Sequence, residues 1–477
     1  MAGGVERVPG AGSVAASGVG AAATDAGQPA EDAARPLAWL PWRQLLTLSV
    51  YWFGIQAIWG GYEAFGQKQV QLLVGESVKG TTIGILEMTG SLVAILVQPT
   101  AGTLSDYTAT RWGKRKAYII VGATFDLIFL CGLALVALPE PAAGTWDGQA
   151  LGSVPLIVAY VVCFLGLQLS SNAAQGPFQG YVPDLVPERQ VGTASGLMGV
   201  MRLTGLMAGT VIMAVGSAAN LWGAALVLIG LIEVSLAIIT FLYVREGPTA
   251  RPRHGRSWRS IAGEAWGTDV LRERSFLFMS TVRLCFLAGT GIFVNVLLYY
   301  LEDAMGMTDP DQRGLWQIAG AGLVLAGSLV AAPVSAAVSN RTGRKPVILV
   351  AIVIAAVGIA GLAFAPTIWL AIPAILLLGA GGGAYLAVDW ALMTEVIPLA
   401  ASGRFMGLAN IANSMAGPVG LLVGGLVLDA FTRAGDPGLG VRAAVALGIL
   451  FLVGAAAALP GVRPRRDPRM AADPVAA

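Results

Sequence analysis

Trp52, Gln56, Trp59 and Glu63 are spaced four, three and four residues apart in an otherwise apolar stretch. At about 100° per residue, that spacing lays all four along one narrow stripe of a helix. Gln168, Asn172, Gln175 and Gln179 repeat the spacing later in the chain, with Pro177 placed to bend the end of the stripe. Amides donate and accept hydrogen bonds, and aromatic faces stack on the C–H surfaces of sugars. Two such stripes suit a ligand with many hydroxyl groups. Plainer roles stay open beside that one: Trp can belong to an interfacial belt, and amides can join helices. In the second half of the chain the candidates of the same kind are Arg283, Asn295, Trp316, Gln317, Tyr385, Asp389 and Trp390. Tyr385 and Asp389 are four apart and share a face, although Asp389 also suits a solvated carboxylate near a helix end.

Five acids fall inside apolar stretches: Glu63, Glu87, Asp126, Glu233 and Asp389. Only two arginines, Arg202 and Arg283, do so, which leaves an excess of three acids (five minus two). A buried carboxylate without a partner takes up a proton or binds a cation. Glu63, Glu87 and Asp126 are therefore the candidates for binding a proton or sodium ion. A hydrogen bond to a neighbouring helix is the structural alternative for each. No nucleophile–base pair, metal cluster or phosphate loop is present, which argues against an enzyme and against any cofactor. The glycine run "GAGGG" (379–383) sits inside an apolar stretch and reads as helix packing.

The elements that must hold these residues are membrane spans. The chain has 477 residues, of which 56% are hydrophobic and only 12% charged. Soluble domains carry roughly 25% charged residues, so the lipid bilayer is the expected solvent. A net charge of +2 gives no reason to expect a nucleic-acid partner. Cys131, Cys163 and Cys285 lie in apolar runs and read as small buried hydrophobes. His254, the only histidine, falls in a basic loop, which excludes a histidine relay inside the membrane. A helix needs about 20 apolar residues to cross the hydrocarbon core. Twelve such stretches occur, at approximately 44–66, 83–104, 115–138, 152–175, 192–216, 219–244, 276–301, 314–338, 346–365, 367–393, 402–427 and 439–460. The implied domains are a disordered tail over 1–36, a six-helix bundle over 37–244, a basic linker over 245–275, a second bundle over 276–463 and a tail over 464–477. The fold class is thus an all-α membrane protein with twelve transmembrane helices in two pseudo-symmetric six-helix bundles.

Charge gives the orientation, because short cytoplasmic loops collect Lys and Arg. The loop after span 2 carries Arg111, Lys114, Arg115 and Lys116. The 245–275 linker, the loop at 341–345 and the tail at 463–466 are basic on the same side. Loops around Glu140–Asp147 and Glu302–Asp311 lean acidic on the other. Both termini are expected in the cytoplasm. The halves also repeat. "PDLVPERQVGTASGLMG" from Pro183 aligns with "TEVIPLAASGRFMGLAN" from Thr394 at a constant offset of 211. "SDYTATRWGKRKAYI" after span 2 is echoed by "SNRTGRKPVIL" after span 8. Parallel repeats with a site between them describe a secondary transporter.

The stretch "GTLSDYTATRWGKRK", with Gly102, Asp106, Gly113, Lys114 and Arg115, resembles the loop signature of the major facilitator superfamily. The insertion between Asp106 and Gly113 resembles the glycoside–pentoside–hexuronide and sucrose–proton symporter branch. "FGIQAIW" (53–59), "VQPTAG" (97–102) and "NAAQGP" (172–177) add to that likeness. The resemblance implies that spans 1, 4, 7 and 10 line a central cavity. It also implies that the Asp106–Arg115 loop clasps the two halves in the outward-open state and releases them in the inward-open one. One departure stands out: the Asp and Arg of the sucrose–proton relatives fall here on Gln168 and Gln179, so Glu63, Glu87 or Asp126 would have to replace the missing coupling carboxylate. The expectation is a monomeric transporter in a bacterial inner membrane, carrying a sugar or glycoside with a proton or sodium ion. The rivals are an exporter of a drug-like or secondary-metabolite compound and a membrane scaffold that transports nothing.

Overall fold

A computed structural model of the chain describes residues 39–463, apart from 109, 142–144, 188–189, 247–254, 264–272 and 397–401. The expected tails and His254 lie outside the described residues. Twelve long helices account for most of the chain: α1 (Tyr51–Val74), α2 (Lys79–Asp106), α3 (Lys116–Val136), α4 (Val154–Gln179), α5 (Val191–Ala218), α6 (Trp222–Tyr243), α7 (Arg274–Asn295), α8 (Pro310–Thr342), α9 (Arg344–Phe364), α10 (Ile368–Val396), α11 (Ser402–Arg433) and α12 (Pro437–Ala458). A short helix, Trp42–Ser49, leads into α1 and is separated from it at Val50.

Eleven of these helices are long and apolar enough to cross a membrane. The remaining one is α1, whose last turns carry Gln67, Lys68, Gln69 and Gln71. Hydropathy therefore ends span 1 at residue 66, whereas the helix continues to Val74. Its polar end is buried against protein: the Gln69 amide donates to the Leu138 carbonyl (2.9 Å) and accepts from the Leu138 N–H (2.7 Å). A polar turn satisfied by protein needs no water, so the bilayer does not truncate the helix.

The two halves are built alike. In the first, α1 packs on α5 and α6, α4 on α2 and α3, and α3 on α6. In the second, α7 packs on α11 and α12, α10 on α8 and α9, and α9 on α12. Small residues let backbones approach closely in lipid. A Cβ on Gly205 or Gly209 of α5 would strike the backbone of α1 at Phe53 or Ala57. The run at 379–383 does the same in α10: Gly379 and Gly383 abut Val324 and Ser328 of α8, and Gly381 abuts Ala355 of α9. The repeated loops match too. Gly113 and Gly343 both have positive φ, +122° and +86°, where an L side chain is strained.

The halves join chiefly where α2 meets α11, with Gly80 against Gly425 and Gly84 against Leu422, and where α5 meets α8. Both ends of the described chain lie at one end of the bundle, the terminal end. There Leu40 hydrogen-bonds Gln190 at the start of α5, and the Arg463 N–H donates to Ser275 at the start of α7. The opposite end is distal.

Candidate functional site

A cavity of about 120 Å³ lies between the halves. From α1 it is lined by Trp59, Tyr62, Glu63, Gly66 and Gln67, and from α2 by Ile83 and Glu87. Asn295 of α7 and Leu421 of α11 close it from the other half. Trp59, Glu63 and Gln67 lie four residues apart, so one stripe of α1 supplies an indole, a carboxyl and an amide. Two carboxyls, Glu63 and Glu87, line this space with no basic residue beside them. Neither has an ion-pair partner among the described residues. Tyr62 forms the aromatic wall. It stacks on Phe164 of α4 (5.0 Å between ring centres), and its hydroxyl meets that of Tyr160 (3.1 Å).

Outside this cavity each of the other intramembrane acids has a side-chain partner. Arg283 and Asp389 form a buried ion pair between α7 and α10. The Tyr385 hydroxyl donates to Asp389 (2.8 Å) while its ring stacks on Phe286 at 3.9 Å. Asp389 is therefore a buried partner of Arg283, not a solvated carboxylate. Within the first half, Asp126 of α3 accepts from the Ser170 hydroxyl, and Glu233 of α6 accepts from the Tyr51 hydroxyl (3.0 Å). Of the five acids, Asp389 is ion-paired with Arg283, Asp126 and Glu233 accept from hydroxyls, and Glu63 and Glu87 line the cavity, while Arg202 stacks over Trp52 (4.7 Å).

The remaining candidates are spread around this core. Trp52 is buried against Phe178 (5.7 Å) and is not among the lining residues. Gln56 is half-buried one turn from Trp59. Gln168 and Asn172 are buried and bonded to each other: the Asn172 amide donates to the Gln168 carbonyl (2.8 Å) and to its side-chain oxygen (3.2 Å). That pair packs on Gly90 of α2. Gln175 is half-buried and Gln179 exposed toward the terminal end. Trp316 packs edge-on against the exposed Trp369 (5.7 Å), and neither Trp316 nor Gln317 is among the residues that line the cavity. The side chain of Trp390 lies outside the described residues.

At the terminal end, the basic loop is held inside the first half. Arg115 is buried and reaches three acceptors: Asp106 (2.8 Å), Asp184 (2.9 Å) and the Pro177 carbonyl (2.8 Å). Lys114 pairs with Asp184 at 2.6 Å. The Arg115 N–H donates to Glu246 (3.0 Å), whose carboxylate would occupy the place of any Cβ on Gly113. Gly102 faces the backbone of Gly176. The corresponding pair of the second half, Arg344 with Glu395, also stays within its own half.

The distal end is different, because its charges cross between the halves. Lys68 pairs with Glu302 (2.8 Å) and Glu140 (3.4 Å), and Arg313 pairs with the same two acids. Lys79 pairs with Asp303 at 2.7 Å. Asp429 accepts from the N–H groups of Gly80 (2.9 Å) and Thr81 (2.7 Å), and the Tyr299 hydroxyl donates to the Gln67 carbonyl (2.9 Å). Burial pushes the Asp303 carboxyl up, and the neighbouring Lys79 only partly offsets this. Sequence reasoning missed this whole set. Its one visible signal was a Lys or Arg in otherwise acidic loops, at Lys68, Lys79 and Arg313.

A sequence model described as Major Facilitator Superfamily matches residues 44–420, with a further match over 316–475. The chain is 27% identical over 187 residues to the sucrose transport protein SUT1 of Oryza sativa subsp. japonica, a match covering 33% of each chain. It is 30% identical over 149 residues to the multidrug resistance protein MdtG of Proteus mirabilis, covering 31% of this chain and 37% of that one. The chain therefore spans about a third of the length of these relatives. Among solved structures, that of the nucleoside transporter NupG superposes with a TM-score of 0.63 at 15% identity, covering 88% of this chain and 100% of that one, a likeness of fold.

Proposed function

Because the chain belongs to the major facilitator superfamily, we propose that it is a secondary transporter carrying a sugar or glycoside together with a proton or sodium ion. The family and its fold are those of transporters, not enzymes. The observation that carries the proposal is the cavity shared by both halves, where Trp59, Gln67 and Asn295 stand beside the carboxyls of Glu63 and Glu87. The indole offers a stacking face and the amides offer donors and acceptors to hydroxyl groups. The two acids offer a site for a proton or a sodium ion without a competing internal cation. Similarity to a protein named for sucrose transport supports the cargo class.

In this reading the terminal end is cytoplasmic, the membrane is a bacterial inner membrane, and the chain works as a monomer. The halves, 37–244 and 276–463, rock about the cavity with 245–275 as their linker. The distal charges close the outer side, and the Asp106–Arg115 loop, now paired within its own half, is free of the other half. Uptake into proteoliposomes of purified protein tests the proposal. Labelled sugar should accumulate only under an imposed proton or sodium gradient. Gradient-independent uptake removes the coupling, and no uptake of any sugar removes the cargo class.

A second reading is export of a cationic drug-like compound. It is favoured by two acids without a base in the cavity and by similarity to a multidrug resistance protein. A deletion strain sensitive to toxic cations, yet able to grow on every sugar tried, would select it.

A further inference from the structure

Consecutive helices α8 and α9 are joined by Gly343 alone, and each packs extensively on α10 while barely touching the other. Between them runs an apolar groove of about 500 Å³. Val334, Val338 and Thr342 form one wall, Val350 and Ile354 the other, and Ala384 of α10 the floor. Val334 and Val350 are 59% and 58% exposed, so the groove opens outward from the bundle, where the membrane's acyl chains lie.

Its terminal mouth is basic. Arg341 lies three residues beyond Val338 and seven beyond Val334, which puts it on the same face of α8 at the level where the helix leaves the apolar layer. Arg341 is exposed, and Lys345 stands half-exposed across the hairpin, 3.4 Å from the Pro460 carbonyl. Neither has an acidic partner among the described residues, whereas Arg344 between them is taken by Glu395. The first half offers a contrast. There Lys114 and Arg115 of the equivalent loop are already matched by Asp106 and Asp184. In the second half, Arg341 and Lys345 stand at the mouth of the groove with no carboxylate matched to either among the described residues.

We propose that this groove is a binding site for one anionic phospholipid, with an acyl chain lying between α8 and α9 and the phosphate held by Arg341 and Lys345. Basic residues at the cytoplasmic edge of a helix bundle attract acidic headgroups, and a groove between helices adds shape to the charge. A zwitterionic lipid fills the groove equally well but brings an ammonium group to a basic mouth.

The test is native mass spectrometry of the delipidated full-length protein, titrated with phosphatidylglycerol or with phosphatidylcholine of the same chains. One phosphatidylglycerol per protein should be retained in preference to phosphatidylcholine. R341A/K345A should weaken its retention about tenfold and abolish the preference. Val334→Trp, at an exposed position where it fills the groove without entering the core, should lower retention with both basic residues intact. Unchanged melting temperatures would exclude unfolding as the cause. Equal retention of the two lipids by the native protein, or undiminished preference in R341A/K345A, overturns the proposal.

Discussion

Glu63 and Glu87 are distinguished from the other intramembrane acids by having no ion-pair or hydrogen-bond partner among the described residues and by lining the cavity. If they bind the coupling ion, neutralising either should uncouple transport without abolishing the cycle. Glu63→Gln and Glu87→Gln are each expected to lose gradient-driven accumulation while keeping exchange of labelled for unlabelled cargo, as measured by counterflow. Loss of both activities would assign the residue to cargo binding or folding instead. Arg283 and Asp389 have the opposite character, because their charges cancel in a buried site. Removing one partner strands the other: Arg283→Ala should cost about 3–5 kcal/mol, whereas Arg283→Met with Asp389→Leu should recover most of it. Thermal unfolding of the solubilised variants gives that order. The sequence named all four residues as candidates. It had no means of telling the paired from the unpaired, since pairing depends on which helices face each other.

At the scale of elements, the loop between α2 and α3 does more than fix topology. Arg115 ties α2, α4 and the turn at Asp184 into one unit, and Glu246 closes over Gly113 from beyond α6. Gly113→Ala meets two obstacles, a positive φ and the Glu246 carboxylate. It should destabilise the solubilised protein by about 1–3 kcal/mol. Adding Glu246→Ala removes the collision but leaves the strained backbone, so the double variant should recover only part of the melting temperature; complete recovery would mean the backbone is not strained. The signature of this loop was plain in the sequence, as were its repeat at Gly343 and the packing role of the glycine run in α10. The end of α1 was not. A hydropathy window reads Gln67–Gln71 as a loop, because it cannot register that protein, not lipid, surrounds them.

For the whole molecule, the arrangement of charge decides which side is shut. Asp429 caps the first N–H groups of α2 across the interface, so Asp429→Ala should open the distal end. Spin labels at the exposed Ser77 and Ala434 would then report longer distances between the halves. The same pair of labels tests a pH effect. Asp303 takes its raised proton affinity from burial in the closed arrangement, so protonation favours closure relative to an open state in which the carboxyl is solvated. Its contribution is full below the ordinary Asp range and is lost as pH rises through the raised value. Acidification should therefore shorten the label distance, and Asp303→Asn should remove that component of the response. A response that persists unchanged in Asp303→Asn would assign it to another group. By itself the sequence determined the membrane class, the twelve helices, their division into two like halves and the side on which basic loops gather; of the four-residue stripe it marked on α1, Trp59 and Glu63 line the cavity and Trp52 and Gln56 do not. Composition, period and charge asymmetry are local properties, and a single chain carries them openly. Only the tertiary structure decided that Trp52 and Trp316 pack elsewhere, that Asp389 pairs with Arg283 and Asp126 and Glu233 meet hydroxyls while Glu63 and Glu87 share the cavity, and that Lys68, Lys79 and Arg313 bridge the halves. A helix's sequence fixes which residues share a face, but the neighbour which that face meets is set by contacts between segments hundreds of residues apart.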